Sequence, residues 1–113
     1  MTSNLSTQSI AALSNQMTSG ELSSVDLVEH FLARVEQLNP TLKAFNTVAA
    51  EMAQRKAEEA DREIAQGWHK GPLHGIPIGL KDLLYTKGVK TTVSSKILKD
   101  WVPDTNATVV NKL

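Results

Sequence analysis

Lys81 ends a stretch rich in glycine and proline and is the residue whose type and position could perform acid–base chemistry. The stretch 71–82 reads Gly-Pro-Leu-His-Gly-Ile-Pro-Ile-Gly-Leu-Lys-Asp. Glycine permits backbone conformations and close approaches that other residues cannot make, while proline fixes φ and lacks an N–H. The alternation of Ile78 and Leu80 predicts a short buried strand. Because burial disfavours the charged form of a lysine, such a strand would make Lys81 a general base.

A second interpretation of the same pattern leaves Lys81 in water. Side chains alternate between the two faces of a strand, so Gly79 and Lys81 would lie opposite Ile78 and Leu80. Charged residues are rarely buried unless they have a partner. The pattern by itself therefore leaves both a buried base and an exposed lysine open.

The sequence around and after Lys81 resembles the amidase signature family. The resemblance is collinear, extends over residues 20–113 and is strongest over 73–110. The segments that carry it are Leu-His-Gly-Ile-Pro-Ile-Gly-Leu-Lys-Asp at 73–82, Thr-Lys-Gly-Val-Lys-Thr-Thr at 86–92, Ser95-Lys96, Val102-Pro103 and Asn-Ala-Thr-Val-Val at 106–110. One departure is Val-Ser-Ser-Lys at 93–96, where family members often have Ala-Gly-Ser-Lys or Gly-Ser-Lys, and it bears on the shape of the pocket.

The resemblance implies a fold, a reaction and a role for Lys81. The family folds as an α/β/α sandwich around a mixed sheet, so this chain would supply an N-terminal helical part and the first strands of an α/β domain. Its members hydrolyse or transfer amides through a reactive serine, a cis-peptide serine and a lysine. Lys81 matches that catalytic lysine. The Gly/Ser-rich signature that carries the two serines does not occur in these 113 residues.

Ser94 and Ser95 follow the predicted lysine strand and could line the same pocket. A serine needs an adjacent base and oxyanion donors to act as a nucleophile, and the local pattern supplies neither. These two residues are therefore candidates for substrate contact, and the residues that bind the substrate are otherwise not assigned. The remaining candidates are predicted to shape the loop: Gly75, Pro77, Gly79 and Asp82.

The composition is that of an ordinary globular domain. The chain has 113 residues, 41% of them hydrophobic, and its 12 basic and 12 acidic residues cancel. This balance predicts no direct binding of nucleic acid and no membrane association. Without a cysteine, a histidine pair at metal-ligand spacing or a nucleotide-binding glycine motif, we expect neither a metal nor a cofactor. No signal-peptide pattern precedes the first helix, so we expect a cytoplasmic protein.

The elements that must position the lysine loop begin with two helices. Apolar residues at helical spacing predict a helix over residues 7–18, which Gly20 should end. Ser23 and Asp26 form an acidic variant of the capping box at the start of a second helix. Asn39-Pro40 should end that helix, because a proline disfavours the helical conformation of the residue before it.

A third helix is predicted from about Val48 to Gln66, with Gly67 at its end and an alanine-rich face against the second helix. A turn is expected at 86–88. The predicted order is helices to about residue 67, the loop and lysine strand 68–85, a turn and strand 86–95, and a final helix from about 105, capped by Asp104 or Thr105. Because this last pattern stops at Leu113 without a cap, we expect the N-terminal portion of a single amidase domain, truncated at its C-terminus.

Three functions remain open. The first is a general amidase acting on a small amide, completed by the rest of its own amidase domain. The second is the glutaminase subunit of a tRNA-dependent amidotransferase, which works with partner subunits. The third is a helical interaction module without activity. A Gly/Ser-rich signature in the following stretch of the reading frame would separate an enzyme from a module.

Overall fold

The computed structural model describes residues 4–113, which form helices and turns. The elements are a 3-10 helix (Leu5–Thr7) and the α-helices α1 (Ile10–Ser19), α2 (Ser24–Leu42), α3 (Ala50–Ala65) and α4 (Thr108–Asn111). They fall into two compact units. The first unit contains the residues up to Ala44 together with Ala50–Pro77, and the second contains Phe45–Ala49 and Ile78–Leu113. Within the described part of the chain, no helix is long and apolar enough to cross a membrane.

Helix α1 begins after a serine cap and ends at a glycine, two residue types that are typical of helix ends. The Ser9 side chain accepts a hydrogen bond from the Ala12 N–H at 3.1 Å and caps the helix. Gly20 lies at the other end with φ +81°, a left-handed conformation that favours glycine. The predicted first helix is therefore confirmed, with its end at Gly20.

Helix α2 has two acceptors at its N-terminus. The Ser23 hydroxyl accepts from the Asp26 N–H at 3.0 Å, which confirms the predicted cap. The Asp61 carboxylate, on α3, accepts from the Ser24 N–H at 2.6 Å and the Val25 N–H at 3.1 Å. A negative group here satisfies otherwise unpaired N–H donors and interacts favourably with the helix dipole.

The predicted end of α2 at Asn39-Pro40 is wrong. The helix continues through Pro40 to Leu42 and ends at Lys43, which has φ +51° and donates its N–H to the Asn39 C=O at 2.7 Å. Proline removes one donor, but its fixed φ is compatible with a helix. So close to the helix end, the loss of one hydrogen bond does not stop the helix.

Helix α3 ends just before Gly67, as predicted. Gly67 has φ +85°, and its N–H donates to the Ile64 C=O at 3.0 Å. The next N–H, of Trp68, donates to the Glu63 C=O at 2.9 Å. This pair of hydrogen bonds is the Schellman arrangement that closes a helix through a left-handed glycine.

The core of the first unit lies between α1, α2 and α3. Leu13, Met17 and Leu27 are buried together. Partly buried apolar residues pack against them: Leu5, Leu22, Phe31, Ile64 and Ile76. On α3, Ala57 and Ala60 are buried, and α3 contacts α2. Small side chains allow two helices to approach closely, so the alanine-rich face packs as predicted.

The predicted α/β fold is contradicted, because no β-strand occurs in residues 4–113. The expected lysine strand is not formed: Ile78 is exposed, and the backbone turns directly after Leu80. The Leu84 N–H donates to the Lys81 C=O at 3.0 Å and closes that turn. A strand exists only as part of a ladder with a neighbouring strand, and an alternating apolar pattern cannot supply that neighbour.

The second predicted strand, within residues 86–95, is replaced by turns and isolated hydrogen bonds. The Thr91 N–H donates to the Trp101 C=O and the Gly88 N–H to the Pro103 C=O, each at 3.0 Å. Pro103 has no N–H with which to complete a ladder. The turn at 86–88 is confirmed, since Gly88 has φ +79°.

Helix α4 does not use either predicted cap. It begins at Thr108 after Ala107, and no side chain caps it. The nearby polar side chain that is engaged belongs to Asn106, which accepts from the Lys87 N–H at 2.6 Å. Asp104 and Thr105 therefore lie outside the helix start, and the local sequence signal was wrong by several residues.

Candidate active site around Lys81 and Asp82

Lys81 lies in a tight turn of the second unit. Its C=O closes the turn with Leu84, and its side chain is exposed. Of the two interpretations that the sequence allowed, the exposed lysine is the one found in residues 4–113. The Lys81 side chain is therefore in contact with water, while its backbone is held by the turn.

Asp82, the next residue, accepts several hydrogen bonds. Its Oδ1 accepts from the Thr92 N–H at 2.7 Å. Its Oδ2 accepts from the Thr92 hydroxyl and from the Asn46 amide, the latter at 3.0 Å. The Thr92 hydroxyl, the Thr92 N–H and the Asn46 amide hold the pKa of Asp82 below its usual value, against a smaller opposing effect of burial. Asp82 is therefore ionised at neutral pH.

Asp82 binds Thr92 and Val93, the first two residues of a strained turn. The Ser95 N–H donates to the Thr92 C=O at 2.8 Å, and the two residues between them, Val93 and Ser94, have φ +52° and +55°. Consecutive left-handed residues are typical of a type I′ turn, which favours glycine and asparagine. For the β-branched Val93 this conformation is a true outlier. The Asp82 C=O accepts from the Val93 N–H at 2.9 Å.

The candidate serines lie within this turn, and their backbone donors are occupied. The Ser94 N–H donates to the Thr92 hydroxyl oxygen at 3.3 Å, and the Ser95 N–H to the Thr92 C=O. The Ser95 hydroxyl accepts from the Ile97 N–H at 3.2 Å. As arranged here, the turn offers its hydroxyl groups but no free N–H pair for an oxyanion.

Of the loop residues, Gly75 belongs to the first unit and requires its glycine. It has φ +82°, and an added Cβ would lie 3.1 Å from Met17 Sδ and 3.2 Å from the Ser24 side chain. Its C=O accepts from the Ser24 hydroxyl at 2.6 Å. Pro77, half-buried, belongs to the same unit.

Gly79 belongs to the second unit and is less constrained. An added Cβ would lie 3.6 Å from the Phe45 ring, an ordinary contact distance. The two glycines of the predicted loop therefore differ in their environment. Only the first combines a left-handed backbone with a crowded Cβ position.

A polar cluster in the first unit surrounds Glu63. Its Oε2 lies 2.6 Å from the Lys70 Nζ and 3.0 Å from the His74 Nε2. The hydrogen bond from Lys70 is the main cause that lowers the pKa of Glu63. The His74 Nδ1 accepts from the Lys70 N–H at 3.1 Å, so this histidine also binds backbone. No group of side chains that could hold a metal ion occurs from residue 4 onward.

Sequence reasoning missed the partners of Asp82. Thr92 lies in a threonine-rich run ten residues later, and a partly buried carboxylate needs donors of this kind. Asn46 lies 36 residues earlier, in the connection before α3, and no local pattern links it to Asp82. The first partner could have been found from the sequence, but the second could not.

Comparisons with known proteins match most of the chain. The sequence model of the Amidase family matches residues 26–113. A relative from Prochlorococcus marinus, named as a subunit of glutamyl-tRNA(Gln) amidotransferase, is 50% identical over 101 residues, which are 89% of this chain and 21% of the relative. Proteins of the same name from Dehalococcoides mccartyi and Thioalkalivibrio sulfidiphilus are 52% identical over 93 residues and 47% over 105. These cover 82% and 93% of this chain and 19% and 22% of the relatives. The chain thus spans about a fifth of the length of the curated relatives it matches.

Proposed function

This chain belongs to the amidase family, and from that premise we propose that the complete protein hydrolyses amides with Lys81 as its base. The observation that carries the proposal is the family match over residues 26–113, which contains Lys81, Asp82 and the Thr92–Ser95 turn. In this proposal the two compact units are parts of one amidase domain.

The proposed mechanism uses Lys81 in a triad with a reactive serine and a cis-peptide serine. A neutral Lys81 takes a proton from the bridging serine, which in turn deprotonates the nucleophile that attacks the amide carbonyl. Neither triad serine is assigned within this chain. Since Lys81 is exposed here, the remainder of the amidase domain must exclude water from it. Ser94 and Ser95 are proposed to contact the substrate.

A second candidate function is favoured by the names of the relatives. Proteins 47–52% identical to this chain are named as subunits of glutamyl-tRNA(Gln) amidotransferase. We therefore propose, as the more specific alternative, that the amide is glutamine and that the protein works with the other subunits of such an amidotransferase. With equal numbers of acidic and basic residues, this chain is not expected to bind the tRNA directly.

The test is Lys81→Ala in the complete protein, measured as the burst of acyl-enzyme formation with a small amide and with glutamine. We expect the burst rate to fall roughly a hundredfold or more, because a positioned base contributes about that much. The matched control is Lys87→Ala, an exposed lysine of the same unit, which should retain the parent rate.

The outcomes separate the alternatives. A Lys81→Ala variant that acylates within about tenfold of the parent would exclude the proposed base. Turnover of the small amide by the protein alone favours the general amidase, whereas turnover of glutamine that requires added partner subunits favours the amidotransferase. A parent without either activity would exclude both.

A further inference from the structure

We propose that Asp82 is a positioning residue of the amidase site, which holds the Thr92–Ser95 turn in place relative to the backbone of Lys81. The inference rests on the proposed amidase function, in which Ser94 and Ser95 contact the substrate. It assigns to this carboxylate the task of fixing the groups that meet the substrate, and not a part in proton transfer.

The attachment of the turn to Asp82 is double. The carboxylate binds both donors of Thr92, its N–H at 2.7 Å and its hydroxyl, on different oxygens. The backbone of Asp82 binds the next residue, through the Val93 N–H at 2.9 Å. Two donors on one residue fix its orientation as well as its distance, so Thr92 cannot rotate without losing a hydrogen bond.

The turn needs such an attachment because its backbone is strained. Val93 and Ser94 both occupy the left-handed region, at φ +52° and +55°, although neither is a glycine. Residues keep unfavourable conformations only where their surroundings determine them, and such positions cluster at functional sites. The ionised Asp82 carboxylate supplies the acceptors that hold this turn in its conformation. The Asn46 side-chain amide donates to the same carboxylate at 3.0 Å.

The position of Asp82 connects this turn to the proposed base. Adjacent Cα atoms are about 3.8 Å apart, so a turn held by Asp82 is also held relative to the backbone of Lys81. Ser94 is exposed and Ser95 half-buried in the turn. These are the residues proposed above to contact the substrate, and the attachment to Asp82 fixes the backbone that carries them. Loss of the attachment should therefore impair how the amide is bound and oriented, and leave the base itself intact.

The experiment compares four variants of the complete protein. Asp82→Ala removes both side-chain acceptors of the attachment, and Thr92→Val removes its hydroxyl donor but keeps the backbone N–H. Thr92→Ser keeps both donors, and Asp104→Asn is a control at an exposed aspartate of the same unit. The measurements are kcat and KM for the amide, the pH dependence of kcat, and the ¹³C shifts of Val93 and Ser94, which report their backbone conformation.

We expect Asp82→Ala and Thr92→Val to lower kcat/KM about tenfold or more, since small displacements of substrate-positioning groups are costly. Their Val93 and Ser94 shifts should leave the left-handed range. The acidic limb of the pH profile, along which the base loses its proton, should stay that of the parent. Thr92→Ser and Asp104→Asn should retain both the rate and the shifts. If Asp82→Ala does not fold, Thr92→Val against Thr92→Ser tests the hydroxyl bond to Asp82 by itself.

Two results would overturn the inference. One is a left-handed turn that persists in Asp82→Ala and Thr92→Val. The other is a turn that relaxes in these variants while kcat/KM remains at the parent value. Lys81→Ala, measured alongside, separates the two proposals. A Lys81→Ala variant with parent activity excludes Lys81 as the base but does not exclude the positioning role of Asp82. If Lys81→Ala loses activity while Asp82→Ala keeps that of the parent, only the positioning role is excluded.

Discussion

Gly75 is a residue at which one added methyl group would disturb the structure. Its φ of +82° is unfavourable for other residues, and a Cβ would press against Met17 and Ser24 of the first unit. We expect Gly75→Ala to lower the free energy of unfolding by about 1–3 kcal/mol, from backbone strain and overpacking together. The measurement is urea unfolding of the parent and the variant.

Gly79→Ala provides the matched comparison, because the same methyl group there makes only an ordinary contact with Phe45. We expect its effect on the free energy of unfolding to stay within about 1 kcal/mol. Equal losses for the two variants would show that the local geometry of Gly75 is not what makes it sensitive.

The ionisation of Asp82 makes part of the stability dependent on pH. Its pKa is lowered in the folded chain, first of all by the Thr92 hydroxyl. A lowered folded pKa contributes stability that is present above the unfolded value, about 3.9, and is lost as the pH falls through the folded value. The difference in urea midpoint between the parent and Asp82→Asn should therefore be constant near neutral pH and shrink under acid conditions. A difference that grows on acidification would contradict the assigned ionisation.

At the scale of the elements, the start of α2 is the most testable junction. Ser23 caps it, and Asp61 from α3 binds the Ser24 and Val25 N–H groups. We expect Ser23→Ala to cost about 1 kcal/mol of the free energy of unfolding. Asp61→Ala should cost about 1–3 kcal/mol, because it leaves part-buried donors without an acceptor.

Gln37→Ala, on the exposed surface of α2, serves as the control for both changes and should be nearly neutral. Thermal unfolding followed by circular dichroism would rank the three variants. If Asp61→Ala proved as mild as Gln37→Ala, the contact between α3 and the start of α2 would have no measurable role in stability.

At the scale of the whole molecule, Lys81 is the member of the proposed triad that this chain supplies. Catalysis by the proposed mechanism also needs a nucleophile, a bridging hydroxyl and oxyanion donors. We expect the isolated chain to release no ammonia from simple amides or from glutamine. Ammonia release that disappears in Lys81→Ala would mean that Ser94 or Ser95 acts as more than a substrate contact.

The isolated chain should also associate or bind a hydrophobic dye. Ile97 is 93% exposed and Trp68 64% exposed, and several other large apolar side chains are open to water. Exposed apolar surface of this kind favours association. Sedimentation of the 113-residue chain tests this, and a strictly monomeric chain that binds no dye would contradict it.

Much of the helical half of the chain could be predicted from local sequence. The cap at Ser23, the ends at Gly20 and Gly67, and the alanine-rich face of α3 were all predicted and are confirmed. Each depends on interactions between residues close together in the chain or on one face of one helix. Such signals are present in the sequence because a helix satisfies most of its backbone hydrogen bonds within itself.

The sequence by itself determined the family and most of the helix ends of the first unit. Only the tertiary structure decided that the predicted strands are turns, that Lys81 is exposed, and that Asp82 joins Asn46 and Thr92 across the second unit. The physical reason is that strand pairing and the satisfaction of a carboxylate depend on partners distant in sequence. Alternating apolar residues describe a segment that can pair, and the rest of the fold determines whether it does.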